Sequence, residues 1–203
     1  MSLATILSRW QKRFGADHRG VTAIEFAMIL PVMLAMIMGL GELMYQVYAQ
    51  SILEGAIQKA GRDSAIQGGA DNASALDQTV LNMVKTVAPG ASFAGSPTRK
   101  SYATFASAKP EPFTDTNGNG VRDPKECFDD INGNGAYDTD PGSTGQGGAN
   151  DVTLYTVKIS YPRLFPIASF FGGSSTQVIV AKTFLKNQPY SAQSTVAVKN
   201  LCT

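Results

Sequence analysis

Histidine is almost absent from this 203-residue chain, with His18 the sole example, and cysteine is confined to Cys127 and Cys202. Beyond His18 no side chain has an ordinary pKa near neutrality, so a Ser-His or Cys-His nucleophile would have to borrow a residue from the N-terminus. The cysteines form no C-x-x-C pair and have no neighbouring histidine, which removes the spacing that zinc or thioredoxin-like chemistry needs. Trp10 is the only tryptophan, and the formal charge is only +1. Neither a nucleic-acid footprint nor an acidic solvating tail is therefore written into the totals. The expectation is a protein that is not an enzyme, with no nucleic-acid partner and no small-molecule substrate.

What the chain does contain begins with a basic leader, residues 1–20, in which Arg9, Lys12, Arg13 and Arg19 outnumber Asp17. Such a flank holds the near end of a membrane segment in the cytoplasm, giving an N-in, C-out orientation. The uncharged run Phe26–Gly41 is 16 residues, short of a full span, whereas Val21–Leu43 supplies 23. A crossing of the ~30 Å hydrocarbon core needs about 20. The longer count places Glu25 at membrane depth, where a carboxylate costs roughly 2.5 kcal/mol or more and persists only with a partner. Pro31 is expected to bend the helix without ending it, since membrane helices can satisfy the freed carbonyl. Past the membrane, Leu43, Val47, Ile52, Leu53, Ala56, Ile57 and Ala60 keep a helical apolar spacing. One long helix is predicted over about 22–66, with an amphipathic distal half.

The junction Arg19-Gly20-Val21-Thr22-Ala23-Ile24-Glu25-Phe26 places a glycine directly before the apolar run and a glutamate five residues after it. Residues 21 and 25 share a helix face. An α-amino group newly exposed at Val21 would supply the counter-charge that Glu25 lacks, within the chain or on a neighbour. This junction resembles a prepilin peptidase site, which implies cleavage after Gly20. Further residues extend the likeness: Ala23-Ile24-Glu25-Phe26-Ala27, Ile29-Leu30-Pro31, Gly39, Glu42 and Ala60-Gly61-Arg62-Asp63-Ser64-Ala65. Together they resemble the TadE-like minor pseudopilins of the tight-adherence pilus and secretion system, over about residues 19–66. The resemblance implies a structural subunit in a bacterial inner membrane, with its C-terminal domain periplasmic or extracellular. Its implied partners are the membrane, a prepilin peptidase, other pilin-like subunits and secretion machinery. A cleaved secretory signal would need a shorter apolar region and an A-x-A-like site. An uncleaved anchor, with Glu25 at the interface beside Arg19, needs only length and a basic flank.

Residues 67–203 read as an α+β domain outside the membrane. Leu76, Val80, Leu81, Val84 and Val87 mark a short amphipathic helix ended by Pro89-Gly90. A weak strand is expected around Tyr102–Phe105, and clearer ones at Val152–Tyr161, Gln177–Phe184 and Thr195–Val198. They suggest an antiparallel sheet of about three or four strands. The apolar connection at 164–173 is expected to lie under the core.

Inserted at 111–140 is a repeat of about 15 residues, Glu111 to Asp123 and Glu126 to Asp138. The first copy satisfies the EF-hand-like pattern: Asp115, Asn117, Asn119, Gly120, Asp123 and Glu126 at positions 1, 3, 5, 6, 9 and 12, with the Val121 carbonyl at 7. The second supplies Asp130, Asn132, Asn134, Gly135 and Asp138, but its twelfth position is Pro141, leaving Asp140 or Asp129 to substitute. Calcium takes 6–8 oxygens and needs the backbone to turn sharply at glycine. Isolated calcium loops of modest affinity are thus expected, against the alternative of solvated Asn-Gly turns. A membrane-tethered, calcium-dependent adhesin or binding module is the rival to the assembly subunit. Cys127 and Cys202 are a disulfide candidate, because the compartment outside the inner membrane permits bridges.

Overall fold

The computed structural model describes residues 20–66, 72–165, 169, 172–189, 193 and 196–202. Residues 1–19, the leader up to Arg19, lie outside the described residues. The chain forms two compact units: one within Met1–Tyr45 and Leu164–Ser174, the other Gln46–Arg163 with Ser175–Thr203. The division falls at Tyr45, whereas the sequence suggested one after residue 66. From Ala49 onward the helix buries its apolar face in the second unit, so packing cuts it where hydropathy does not.

Helix α1 runs Val21–Ser64 and continues through Pro31. In its first half Ile24, Phe26, Met28, Ile29, Val32, Met36 and Ile37 are all more than half exposed. A helix apolar on every side needs a nonaqueous surrounding. This helix is long and apolar enough to cross a membrane.

In the second unit the 11-residue strand β5 (Val152–Pro162) is central. Strand β6 (Thr176–Lys186) pairs antiparallel along its whole length, from Val152↔Lys186 to Pro162↔Thr176. On the opposite edge of β5 lie β1 (Ser92–Phe93) and β2 (Thr98–Tyr102), end to end, and β4 (Ser143–Thr144) pairs with β2. Because side chains alternate across a strand, one face of β5 presents Thr153, Tyr155, Val157, Ile159 and Tyr161, all buried. Helix α1 fills this face with Ala49, Leu53, Ala56, Ile57 and Ala60, and α2 (Ala73–Lys85) with Val80, Leu81 and Val84. Each fully buried leucine or isoleucine contributes about 1.5–3 kcal/mol.

Polar contacts fix α2 on the sheet. The Arg99 guanidinium donates to both Asp77 oxygens at 2.7 and 3.2 Å and stacks 4.2 Å above the Tyr155 ring. The Tyr155 hydroxyl donates to Asp77 at 2.5 Å, and burial followed by that carboxylate pushes its pKa upward.

The sheet is larger than the sequence suggested, and two details differ. The strand expected at Tyr102–Phe105 lies at Thr98–Tyr102, where it aligns with β5, and Phe105–Ser107 forms a 3₁₀ turn. Of the strand expected at Thr195–Val198 the described residues 196–198 are not in a strand; the C-terminal strand β7 is Lys199–Cys202, and it pairs with β3 (Cys127–Asp130) apart from the main sheet. Cys127 and Cys202 face each other in that ladder and are joined by a disulfide across 75 residues, with Cα atoms 4.0 Å apart. Half of the 164–173 connection, expected to pack under the core, lies outside the described residues; of its described part Leu164 is exposed, and Phe165 packs against Gly41 of α1.

Candidate functional site

The two copies of the repeat fold into loops with the same hydrogen-bond plan. In the first, Asp115 Oδ1 accepts from the backbone N–H of Gly118 (2.7 Å) and Asn119 (3.3 Å), while Oδ2 accepts from Gly120 (2.8 Å). In the second, Asp130 accepts from Gly133, Asn134 and Gly135 at 2.6, 3.2 and 2.9 Å. These wraps require left-handed backbone at Gly118, Gly120, Gly133 and Gly135, whose φ values are 74–78°. Any residue with a Cβ would be strained there. The amide nitrogens of Asn117 and Asn119 converge on Asp123 Oδ2 at 2.6 and 2.8 Å. Asn132 and Asn134 do the same on Asp138 Oδ2, at 2.8 and 2.6 Å.

Each loop is closed by a buried glutamate. Glu126 Oε1 accepts from the Thr116 N–H and hydroxyl at 2.8 Å, and Oε2 from the Asp123 N–H at 2.9 Å. The second loop has an equivalent in Glu111, whose Oε1 accepts from the Ile131 N–H at 2.8 Å and whose Oε2 accepts from the Asp138 N–H at 2.9 Å. Neither substitute named from the sequence takes that place. Asp140 accepts from Lys100 and Tyr102, and Asp129 from the Asn200 amide. Glu111 stands four residues before Asp115 as Glu126 stands four before Asp130, so the repeat itself marked the two as equivalent. What the sequence could not supply was the antiparallel pairing that sends each glutamate to the other copy's loop. That pairing is a bridge between Phe113 and Phe128, with Thr114 N–H to Cys127 O at 2.8 Å and Asp129 N–H to Pro112 O at 2.9 Å. Phe113, Phe128 and Tyr137 pack edge to face beneath it.

Backbone donors set the electrostatics. The Asp123 N–H, followed by the Thr116 hydroxyl and N–H, holds the Glu126 carboxyl below the ordinary glutamate value. Lys100 does the same for Asp140, and burial with the Asp140 contact pushes the Tyr102 hydroxyl up to about 12. Among the described residues no group of three or more Asp, Glu, His and Cys side chains gathers as a metal site. Each loop brings two carboxylates and two amides together. The donors are hard oxygens, the type that suits calcium. An ion would need the amides turned over, since their nitrogens face Asp123 and Asp138, and Glu126 and Glu111 both spend their oxygens on backbone N–H groups.

At the other end of the chain, Gly20 directly precedes α1 and sits in open space. Val21 and Glu25 occupy successive turns of an exposed helix face. Among the described residues Glu25 makes no ion pair. A glycine at the helix start, an apolar span and a carboxylate one turn inside it form the segment that decides the comparison with known families. Residues 20–62 match the TadE-like protein family. No curated protein and no solved structure matches the chain. The TadE-like segment is thus nearly coextensive with α1, and the remaining residues are read from their own geometry. Within its unit the TadE-like helix makes one further anchored contact: Glu42 Oε2 accepts from the Phe165 N–H at 3.0 Å. Beside it Gly41 leaves room for the Phe165 ring, 3.2 Å from where a Cβ would stand.

Proposed function

We propose that this chain is a minor-pseudopilin-like structural subunit of a tight-adherence type pilus or secretion apparatus, processed after Gly20. In this reading it sits in a bacterial inner membrane by a single span, N-terminus cytoplasmic and outer domain periplasmic or extracellular, until it is packed laterally through α1. The observation that carries it is the coincidence of the TadE-like match with an all-round apolar helix that holds Glu25 one turn from Val21. A carboxylate that lipid disfavours gains a partner only when the amine four positions earlier is released. The partners are a prepilin peptidase, other pilin-like subunits and the secretion machinery, and the role is assembly with no catalysis. Mass spectrometry of membrane-extracted protein tests processing: the expected mature chain begins at Val21. An N-terminus at Met1 would sink it.

A second reading concerns the outer domain: a calcium-dependent binding module on an uncleaved anchor. It is supported by the identical plan of the two loops. Asp115, Asn117, Asn119, Asp123 and the Val121 carbonyl would hold one ion; Asp130, Asn132, Asn134 and Asp138 would hold another. When bound, each ion would supply the positive centre that two asparagine amide nitrogens now provide in its loop. Titration calorimetry of calcium into the full chain and its Asp115→Ala and Asp130→Ala variants tests this. Heats unchanged by both substitutions would remove calcium from the account.

A further inference from the structure

One face of the main sheet lies under helices; on the other, carrying even-numbered residues of β5 and β6, Val152 is buried and Phe105 packs edge to face on Phe184 at one end, while the stretch around Lys158, Val178, Val180 and Lys182 has no covering helix or strand among the described residues. On β6 it exposes Val178, Val180 and Phe184, each at least 40% accessible, with Lys182 and Lys186 alongside. Lys158 of β5 stands opposite Val180, and Lys182 opposite Thr156, so the two lysines are diagonal neighbours on this face. Like charges held close on a sheet disfavour one another. Among the described residues, neither they nor Lys186 meets an acid; Asp140 is engaged by Lys100 and Tyr102. A concavity of about 340 Å³ lies here, lined by Lys100, Asp140, Leu154, Thr156, Lys158 and Lys182, so that three lysines face the one carboxylate.

The complementary surface is on the same chain. Residues 152–186 contain four basic side chains and no acidic one, whereas residues 111–138 contain seven acidic against two basic, a net of −5. At the tip of the first loop Val121 is 63% exposed between Asp115 and Asp123. An apolar strip edged by lysines thus has a counterpart in an apolar tip edged by carboxylates. The two belong to different surfaces of one domain, so their union is heterologous and can repeat from copy to copy.

We infer that the open face of β5 and β6 receives the acidic loop pair of a second copy of this chain, in head-to-tail contact. This goes beyond the proposed processing and span, because it concerns the outer domain alone. Opposite potentials steer such an encounter and penalise the reverse pairing.

The test uses the full chain in detergent with a chelator present, in two differently labelled preparations read by energy transfer. Wild-type association is expected to weaken steeply as salt shortens the screening length from ~10 to ~3 Å. Lys158→Glu with Lys182→Glu is expected to weaken self-association by roughly tenfold or more. Asp115→Asn with Asp123→Asn and Asp138→Asn should do likewise. The deciding arm mixes these two variants, since one retains an intact loop pair and the other an intact face. Pairs should form that do not extend further, and contact through α1 would be the same in every arm. Salt-independent association, a lysine variant that pairs like wild type, or a mixture that stays apart would each overturn the inference. So would chains that stay unpaired while binding phosphatidylglycerol vesicles through Lys158 and Lys182, which would give the face to lipid.

Discussion

Glu111 and Glu126 exchange loops: each stands four residues before one aspartate-led loop and closes the other through two backbone N–H groups. Each repeat thereby supplies the carboxylate that closes the other's loop.

That reciprocity predicts an asymmetric response to substitution. Glu111 is 1% exposed, and Glu111→Ala leaves the Ile131 and Asp138 N–H groups without their acceptor. A buried donor left unmet costs about 1–3 kcal/mol. The expected loss of stability is of that order, seen as a lower denaturation midpoint of the detergent-solubilised chain. Glu111→Gln should lose less, because one carbonyl oxygen survives. Protection from hydrogen exchange should fall in the second loop, around Ile131, with the first loop keeping most of its own. Uniform loss across both loops would contradict the assignment.

Acid should act on the same region. Glu126 has a folded pKa below its ordinary 4.5, set first by the Asp123 N–H, and Asp140 lies below 3.8 owing chiefly to Lys100. Groups lowered by folding lend stability that is fully present above their unfolded values and drains away as pH falls through the folded ones. Stability attributable to this pair should therefore be flat above about pH 5 and decline below about 4. Glu126→Gln should flatten the upper part of that decline. Denaturation midpoints measured from pH 6 to 3 check it; an unchanged slope in the variant would remove Glu126 as a contributor.

The parts legible in sequence are those whose signal is local. The apolar run, its proline and the amphipathic spacing gave α1 within two residues at its end, and alternation over Val152–Tyr161 gave β5 nearly whole. The repeat was visible because identical residues recur in register. Legibility failed where one residue's role depends on a distant strand. Glu111 looked like a preface to the first loop until the Phe113 and Phe128 pairing turned it toward the second. Lys158 and Lys182 become neighbours only through the β5–β6 register, which a separation of 24 positions hides. The tail strand β7 contains Lys199 and Asn200, poor strand formers, and is held by the Cys127–Cys202 ladder.

Reduction should expose that dependence. The bridge closes a span of 75 residues, for which chain entropy allows a stabilisation of about 4.5 kcal/mol at most. Four residues of β7 paired only with β3 make a marginal ladder. Cys127→Ser with Cys202→Ser, or thiol reductant, should release Lys199–Cys202 to fast hydrogen exchange while β5 and β6 stay protected. Loss of protection in β5 instead would mean that the tail supports the main sheet.

The close approach of α1 to the sheet sets two effects against each other at Gly61. Alanine there would gain up to about 1 kcal/mol of helix propensity. Its Cβ, however, would stand 2.7 and 2.8 Å from the two methyls of Leu185 and 3.2 Å from Cγ. Rotation about the Leu185 Cβ–Cγ bond leaves Cγ in place, so relief requires a change of its χ1 rotamer within the packed interface, and overpacking costs roughly 1–3 kcal/mol. Sterics should win, and Gly61→Ala should destabilise the wild-type chain. In a Leu185→Ala background the obstruction is gone, leaving propensity alone, and the same substitution should become neutral or stabilising. A double-mutant cycle of denaturation midpoints reads this reversal directly. Equal effects of Gly61→Ala in both backgrounds would show that Leu185 is not what reserves this position for glycine.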